Sequence, residues 1–249
     1  MEKIEKRHKY GLIGKNISYS FSRGYFTAFF KEKGLSSYTY ENFDLPRIEL
    51  LPALLKANPA IEGLSVTIPY KEAIIPFLDR LEGEARVIGA VNTIKLTNTG
   101  LIGYNTDAYG FQRSLEPYLK KWHTKALILG TGGASKAIAF VLNSLGIPLQ
   151  FVSRNAKRNQ LGYADLNQEI MRAHPIIINC SPVGTFPAID EKPAIPYEFI
   201  TADHLLYDLV YNPEKTAFLK EGESRGAAIC NGLPMLQYQA EKAWSIWQG

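Results

Sequence analysis

The sequence predicts an α/β protein in two lobes, each built around its own parallel or mostly parallel sheet. Three observations carry that reading. Strand-like apolar runs alternate with helix-spaced stretches from Tyr10 onward, a second alternation of the same kind starts after GYNTD at residues 103–107, and a length of 249 residues suits two such lobes better than one.

The first lobe opens with the strand YGLIG, the polar loop KNISYS, and FSRGYFTAFFKEKG, whose apolar spacing is that of a helix ending near Gly34. A strand around YTYENFDL follows, then a helix through IELLPALLKAN, where Pro52 is tolerable only near the start. GLSVTIP and VNTIKL are further strands, separated by the helix EAIIPFLDRL that Lys71 introduces. In the second lobe, DAYGFQRSLEPYL reads as a helix, KALILG as a buried strand, GGASKAIAFVLNSLG as a helix and PLQFVS as the next strand. PIIINCSP, HLLYDLVY and GAAICNG give short strands, and LPMLQYQAEKAWSIWQ closes the chain as a long helix. No repeat, low-complexity tract or Ser/Gly linker interrupts this order. The boundaries expected are 1–106 plus 233–249 for the first lobe and 107–232 for the second.

Composition excludes several classes of function. With 46% apolar and 21% charged residues, the chain has the profile of an ordinary soluble globular protein. Its net charge of +4 comes from 28 basic residues diluted by 24 acidic ones, so no nucleic-acid partner is expected, while an anionic small ligand is compatible with it. Cys180 and Cys230 are too few for a disulfide framework and form no CxxC pair, which suits a reducing compartment. The four histidines, at 8, 123, 174 and 204, show no ligand spacing, so no metal is expected. MEKIEKRHK lacks the apolar core of a leader, and no run approaches the length of a membrane span. The expectation is a cytoplasmic protein without a membrane partner.

KALILGTGGASKAIAF is the most informative local stretch. A strand runs directly into Gly130, Gly132 and Gly133 and then into an amphipathic helix, with Ala134 in its first turn and Ser135 at the third position of the glycine pattern. Glycines let the backbone turn tightly and approach a pyrophosphate, whose charge the helix N-terminus stabilises. The second lobe is therefore expected to be Rossmann-like. Which nucleotide it takes depends on the end of the next strand, where an acid would bind the ribose 2′-hydroxyl of NAD. That end reads FVSRNAKR, with Ser153, Arg154, Lys157 and Arg158 and no acid, so a 2′-phosphate and hence NADP(H) are expected.

An enzyme that reduces a ketone with a nicotinamide needs a proton donor for the incipient alkoxide. SVTIPYK, residues 65–71, puts a lysine where a helix begins, although a cation is disfavoured by the helix dipole there. Lys71 is the candidate donor and Asp107 in GYNTDAYG the candidate carboxylate, although a surface lysine and a helix cap account for each equally well. Ser20 and Ser22 lie beyond the first strand, at the edge where α/β folds bind ligands, and either also suits a helix cap. Asn92 ends another segment of that lobe, and Gln239 is expected to face outward from the apolar stripe of the last helix.

Taken together, these residues resemble the shikimate dehydrogenase family over almost the whole chain, from about Tyr10 to Gly249. YSFS is similar to its Ser-x-Ser loop, SVTIPYKE to its Val-Thr-x-Pro-x-Lys strand and helix, GAVNT to its asparagine turn, and GYNTDAYG to its Asn-Thr-Asp segment. GTGGASK, VSRNAKR, INCSPVG, YDLVYNP and NGLPMLQYQA then follow in the family's order. The resemblance implies NADPH-dependent, reversible reduction of 3-dehydroshikimate to shikimate in aromatic amino acid biosynthesis, in a cleft between the lobes, by a monomer or homodimer. It implies that Lys71 and Asp107 form the catalytic pair. Ser20, Ser22 and Tyr211 would hold the substrate carboxylate, and Thr67, Asn92, Asp107 and Gln239 the ring hydroxyls. Gly130, Gly132, Gly133, Ala134, Ser153, Arg154, Arg158 and Gly232 would bind NADP.

Three departures mark this chain. Ser65 stands where the family usually has Asn, and Ser153, Arg154 and Asn155 replace its Asn-Arg-Thr loop. Only 16 residues separate Arg158 from PIIINC, fewer than the family's usual helix, strand and helix, so reduced cofactor affinity is expected. Quinate or NAD in place of shikimate or NADP is one competing reading, and a non-catalytic NADP-binding regulator of the same fold is another.

Overall fold

The computed structural model describes residues 7–17 and 20–249. Tyr19 of the YSFS motif and the first six residues of the charged N-terminal stretch lie outside the described residues. The chain divides into two compact units, residues 1–106 with 240–249 and residues 107–239.

Continuous β-branched and aromatic runs become the strands of the first unit because both faces of its sheet are covered. In chain order it holds β1 (His8–Gly14), α1 (Phe21–Glu32), β2 (Tyr38–Asp44), α2 (Leu51–Ala57), β3 (Ile61–Val66), α3 (Tyr70–Ala73), β4 (Arg80–Leu81), α4 (Ala85–Ile88), β5 (Thr93–Thr97) and β6 (Gly100–Tyr104). The six strands pair in the order β2-β1-β3-β5-β6-β4. β1 is parallel to β2 and β3, whereas β5 is antiparallel to β3 and to β6. Side chains alternate between two cores. Ile13, Leu64, Val66 and Ile94 bury one face, while Tyr10, Leu12, Tyr40, Phe26 of α1 and Trp247 bury the other.

Two differences from the expected elements have local causes. The helix expected through EAIIPFLDRL is only the four residues of α3 followed by a 3₁₀ turn at Ile75–Phe77, because Pro76 cannot donate the hydrogen bond that would continue it. With so short a helix the dipole is small, so the position of Lys71 carries less electrostatic penalty than its sequence suggests. The hairpin partner β6 was not expected at all. Its two glycines, Gly100 and Gly103, give it a weak strand signature, and Gly100 at φ +120° sits in the turn from β5.

The second unit continues with α5 (Asp107–Leu115), β7 (Ala126–Leu129), α6 (Gly133–Ser144), β8 (Leu149–Val152), α7 (Gln168–Ala173), β9 (Ile176–Asn179), β10 (Leu205–Asp208), α8 (Ala217–Glu223), β11 (Ala228–Cys230) and the start of α9 (Leu233–Gln248). Its five strands, in the order β11-β10-β9-β7-β8, are all parallel. Leu127, Leu129, Ile177 and Leu206 from the strands pack on Met171 of α7 and on Phe218 and Leu219 of α8. α9 starts in this unit and ends in the first, and the division falls at residue 240 inside the helix, seven residues beyond the boundary expected at 233.

Candidate functional site

The first unit gathers its candidate residues at the carboxyl ends of β1 and β3. Thr67 follows β3 directly, and its backbone N–H donates to the Ile13 carbonyl at the end of β1 (2.9 Å). Lys71, half-buried, lies in α3, and its carbonyl accepts the Val91 N–H at 2.7 Å, which brings the turn holding Asn92 against α3. Asn92 is buried and ties that turn to the end of β6. Its Oδ1 accepts the Thr106 N–H at 2.7 Å and its Nδ2 donates to Thr106 Oγ1 at 2.9 Å. Ser20 occupies the N-cap position of α1, yet its side chain makes no capping hydrogen bond. Its Oγ is buried with no hydrogen-bond partner among the described residues. Helix capping therefore does not account for Ser20.

In the second unit Asp107 is the first residue of α5 and is buried, where a carboxylate is favoured by the helix dipole. Gln239, expected to face outward, is instead only 8% exposed, with Nε2 donating to the Leu236 carbonyl (3.1 Å). It packs on α5 because Gly110 leaves room there: a Cβ on Gly110 would sit 2.5 Å from the Met235 carbonyl oxygen and 3.0 Å from Gln239 Cβ. α9 thus runs close along the helix that Asp107 begins. Gly232 has a similar reason, since a Cβ there would collide with the Leu209 carbonyl, two residues before Tyr211.

The glycine turn has the form a dinucleotide needs. Gly130 adopts φ +109°, which a residue with a side chain rarely enters, and passes close to the backbone of Cys180 and Ser181. Gly132 is the N-cap of α6, provides no side-chain cap, and has open space where a Cβ would stand. Gly133 and Ala134 begin the helix, whose first amide N–H groups have no intrahelical acceptor and are suited to a pyrophosphate. Ser135, at the third position of the pattern, is buried and donates to the Gly132 carbonyl at 2.7 Å, which holds the turn closed. Past β8, Ser153 accepts the Asn155 N–H (3.3 Å), and Arg154, Lys157 and Arg158 are exposed.

Arg154 also lines a cavity of about 840 Å³ with Tyr163, Ser181, Pro182 and Lys192, and Arg158 does not. Tyr163 and Ser181 were not singled out from the sequence. Tyr163 comes from the shortened stretch, which keeps a 3₁₀ turn (Tyr163–Asp165) and α7 but adds only the single bridge of Leu161 to Val152. Also unforeseen is Asp208 at the end of β10. Its Oδ2 accepts from Thr216 Oγ1 (2.6 Å), and its Oδ1 accepts from Asn179 Nδ2 (2.9 Å) and the Val210 N–H (3.0 Å). Complete burial pushes its pKa up from 3.8 to about 6 against those three donors.

Comparison with known proteins decides the family. Residues 12–94 match the model of the shikimate dehydrogenase substrate binding domain. A shikimate dehydrogenase (NADP(+)) of Methanococcus maripaludis is 39% identical over 96% of this chain and 91% of its own length. The chain belongs to the shikimate dehydrogenase family. A crystal structure of a family member in complex with NADP+ covers 98% of this chain and 91% of its own, at 35% identity and a TM-score of 0.86. The enzyme of Thermus thermophilus, in complex with NADP(H) and shikimate, covers 97% and 94%, at 32% identity and a TM-score of 0.85. Family members thus match both units of the fold, including the second, which lies outside the matched domain model.

Proposed function

We infer that this chain is an NADP-dependent shikimate dehydrogenase, catalysing the reversible reduction of 3-dehydroshikimate to shikimate. The observation that carries the reading is identity of 39% to a shikimate dehydrogenase (NADP(+)) across 96% of the chain. When bound, NADP(H) supplies the hydride delivered to the substrate's C3 carbonyl. Gly130, Gly132, Gly133, Ala134 and Gly232 would hold it, with Ser153, Arg154 and Arg158 toward the 2′-phosphate. The uncapped start of α6, the open space at Gly132 and the exposed cations after β8 support that assignment.

Lys71 protonates the alkoxide oxygen as it forms, and Asp107 orients the ammonium and accepts from the neighbouring hydroxyl. Ser20, Ser22 and Tyr211 take the carboxylate; Thr67, Asn92 and Gln239 take the ring hydroxyls. The buried Ser20 Oγ, with no hydrogen-bond partner among the described residues, supports the first of these roles, since buried polar groups are rarely kept without a partner. Residues 1–106 with the end of α9 form the substrate domain in this reading, and the parallel second unit forms the Rossmann-like cofactor domain. No helix among the described residues is long and apolar enough to cross a membrane, and both cysteines are free thiols. In this reading the enzyme is cytoplasmic and acts as a monomer or homodimer on a small molecule.

Spectrophotometric reduction of NADP+ and of NAD+, each with shikimate and with quinate, tests the reading. Shikimate with NADP+ is expected to be the best pair. Preference for NAD+ or quinate would favour the competing dehydrogenase, and binding without turnover of any pair would favour a regulator.

A further inference from the structure

Three buried side-chain atoms in the first unit have no hydrogen-bond partner among the described residues: Ser20 Oγ, Tyr40 Oη and Asn42 Oδ1. Folded proteins retain few such atoms, because each loses its hydration without compensation. The strand register puts the last two together. Tyr10 of β1 pairs with Tyr40 on one side and Gly63 on the other, and Leu12 pairs with Asn42 and Ser65. Residues in one row, and residues two apart on a strand, share a face. Tyr40, Asn42 and Ser65 therefore lie on one face of the sheet, on the side of α1, whose first turn carries Ser22, two residues after Ser20. Asn42 Nδ2 donates to the Ile17 carbonyl at 3.0 Å, which fastens Ile17 to this strand.

Packing accounts for the Tyr40 ring but not for its hydroxyl. The ring stacks on Phe26 with centroids 4.6 Å apart and planes 14° from parallel, and Tyr40 is 5% exposed. Phenylalanine would fill this space without burying an unpaired oxygen. The polar groups near the hydroxyl are Ser22 and Ser65, which lower its pKa while burial raises it, although neither stands at hydrogen-bond geometry. Ser22 belongs to the proposed carboxylate site, and Ser65 lies two residues before Thr67.

We propose that Tyr40 is a substrate-positioning residue: when substrate binds, its hydroxyl hydrogen-bonds the nearby Ser22 and Ser65 side chains and holds them toward the substrate. The proposal rests on the reading that Ser22 contacts substrate. Tyr40 acts through the serines, so the effect falls on substrate affinity and not on the chemical step.

The test compares Tyr40→Phe, Ser65→Ala and Ser22→Ala by steady-state kinetics, shikimate calorimetry and thermal melting. For Tyr40→Phe, the KM and Kd for shikimate are expected to rise about fivefold, the effect of one neutral hydrogen bond. Its kcat and its KM for NADP+ should stay within about twofold, and the melting temperature should not fall, since a buried unpaired hydroxyl has been removed. Ser65→Ala should give the same split, and combining the two should add little beyond either. If Ser22→Ala weakens shikimate binding while Tyr40→Phe and Ser65→Ala do not, the positioning role is overturned and the carboxylate site stands. If none of the three changes affinity, both fall. A lowered melting temperature in Tyr40→Phe with unchanged shikimate affinity would make the hydroxyl merely structural and would also overturn the proposal.

Discussion

Replacing Asp208 by asparagine should remove a pH-dependent part of the stability of the second unit. The carboxyl is fully buried at the end of β10, and its pKa rises from 3.8 to about 6 because desolvation outweighs the donors Thr216, Asn179 and Val210. Between those two values the folded protein keeps the proton that the unfolded chain has lost. The native state then binds more protons, so stability falls as pH rises. The contribution is complete below the unfolded pKa and gone above about 6. A rise of roughly two units corresponds to about 3 kcal/mol at 1.36 kcal/mol per unit. Asparagine keeps the shape and an acceptor oxygen for Asn179 or Val210, while the Thr216 hydroxyl can rotate to accept. Urea unfolding of wild type and Asp208→Asn at several values between pH 4 and pH 7 measures the difference. Wild type should lose about 3 kcal/mol relative to the variant across that window, most of it between about pH 4 and 6. A difference that stays constant, or that moves in favour of wild type as pH rises, would refute the reasoning.

Other substitutions probe other parts of the account. Arg154→Ala should raise the KM for NADP+ about tenfold or more and leave that for NAD+ nearly unchanged, because a charge-assisted bond to the 2′-phosphate is lost. Equal losses with both cofactors would place Arg154 away from that phosphate. Gly63→Ala should destabilise the first unit by about 1–3 kcal/mol, read from urea midpoints, because the new Cβ would collide with the Trp247 indole. That indole is fixed by its donation to the Ile94 carbonyl at 3.0 Å and by packing on Tyr10 at 4.9 Å, so it has little freedom to move. An unchanged midpoint would mean that the end of α9 shifts freely.

Much of the fold is local in origin, and that part was legible. KALILG and PIIINC are continuous apolar runs of the kind that only a strand covered on both faces requires, and both are inner strands of an all-parallel sheet. The glycine at 130 announces its turn because a positive φ demands that residue type, whereas the glycine at 132 has an ordinary φ and open space beside it, as suits close approach of a ligand to the backbone. What escaped the sequence depends on contacts between distant segments. Asn179, Asp208 and Thr216 meet only through β9, β10 and the start of α8, and no spacing in the chain links them. Gln239 looked solvent-facing because it interrupts the apolar stripe of α9, whereas the glycine at 110, far away in sequence, is what buries it. Tyr40 has the period-two signature of a core aromatic, so only the missing partner of its hydroxyl sets it apart. Pro76, visible from the start, marks where the helix after Lys71 gives way to a 3₁₀ turn, yet the apolar spacing around it was strong enough to suggest a longer one.

The central claim is that an NADP-dependent reduction in this protein draws its proton from Lys71. Initial rates of shikimate-dependent NADP+ reduction by wild type and by Lys71→Ala test it most directly. Wild type should turn over, and the variant should lose about 10²–10⁴-fold in kcat with little change in the KM for shikimate. A variant with near wild-type kcat, or one whose loss is confined to KM, would contradict it.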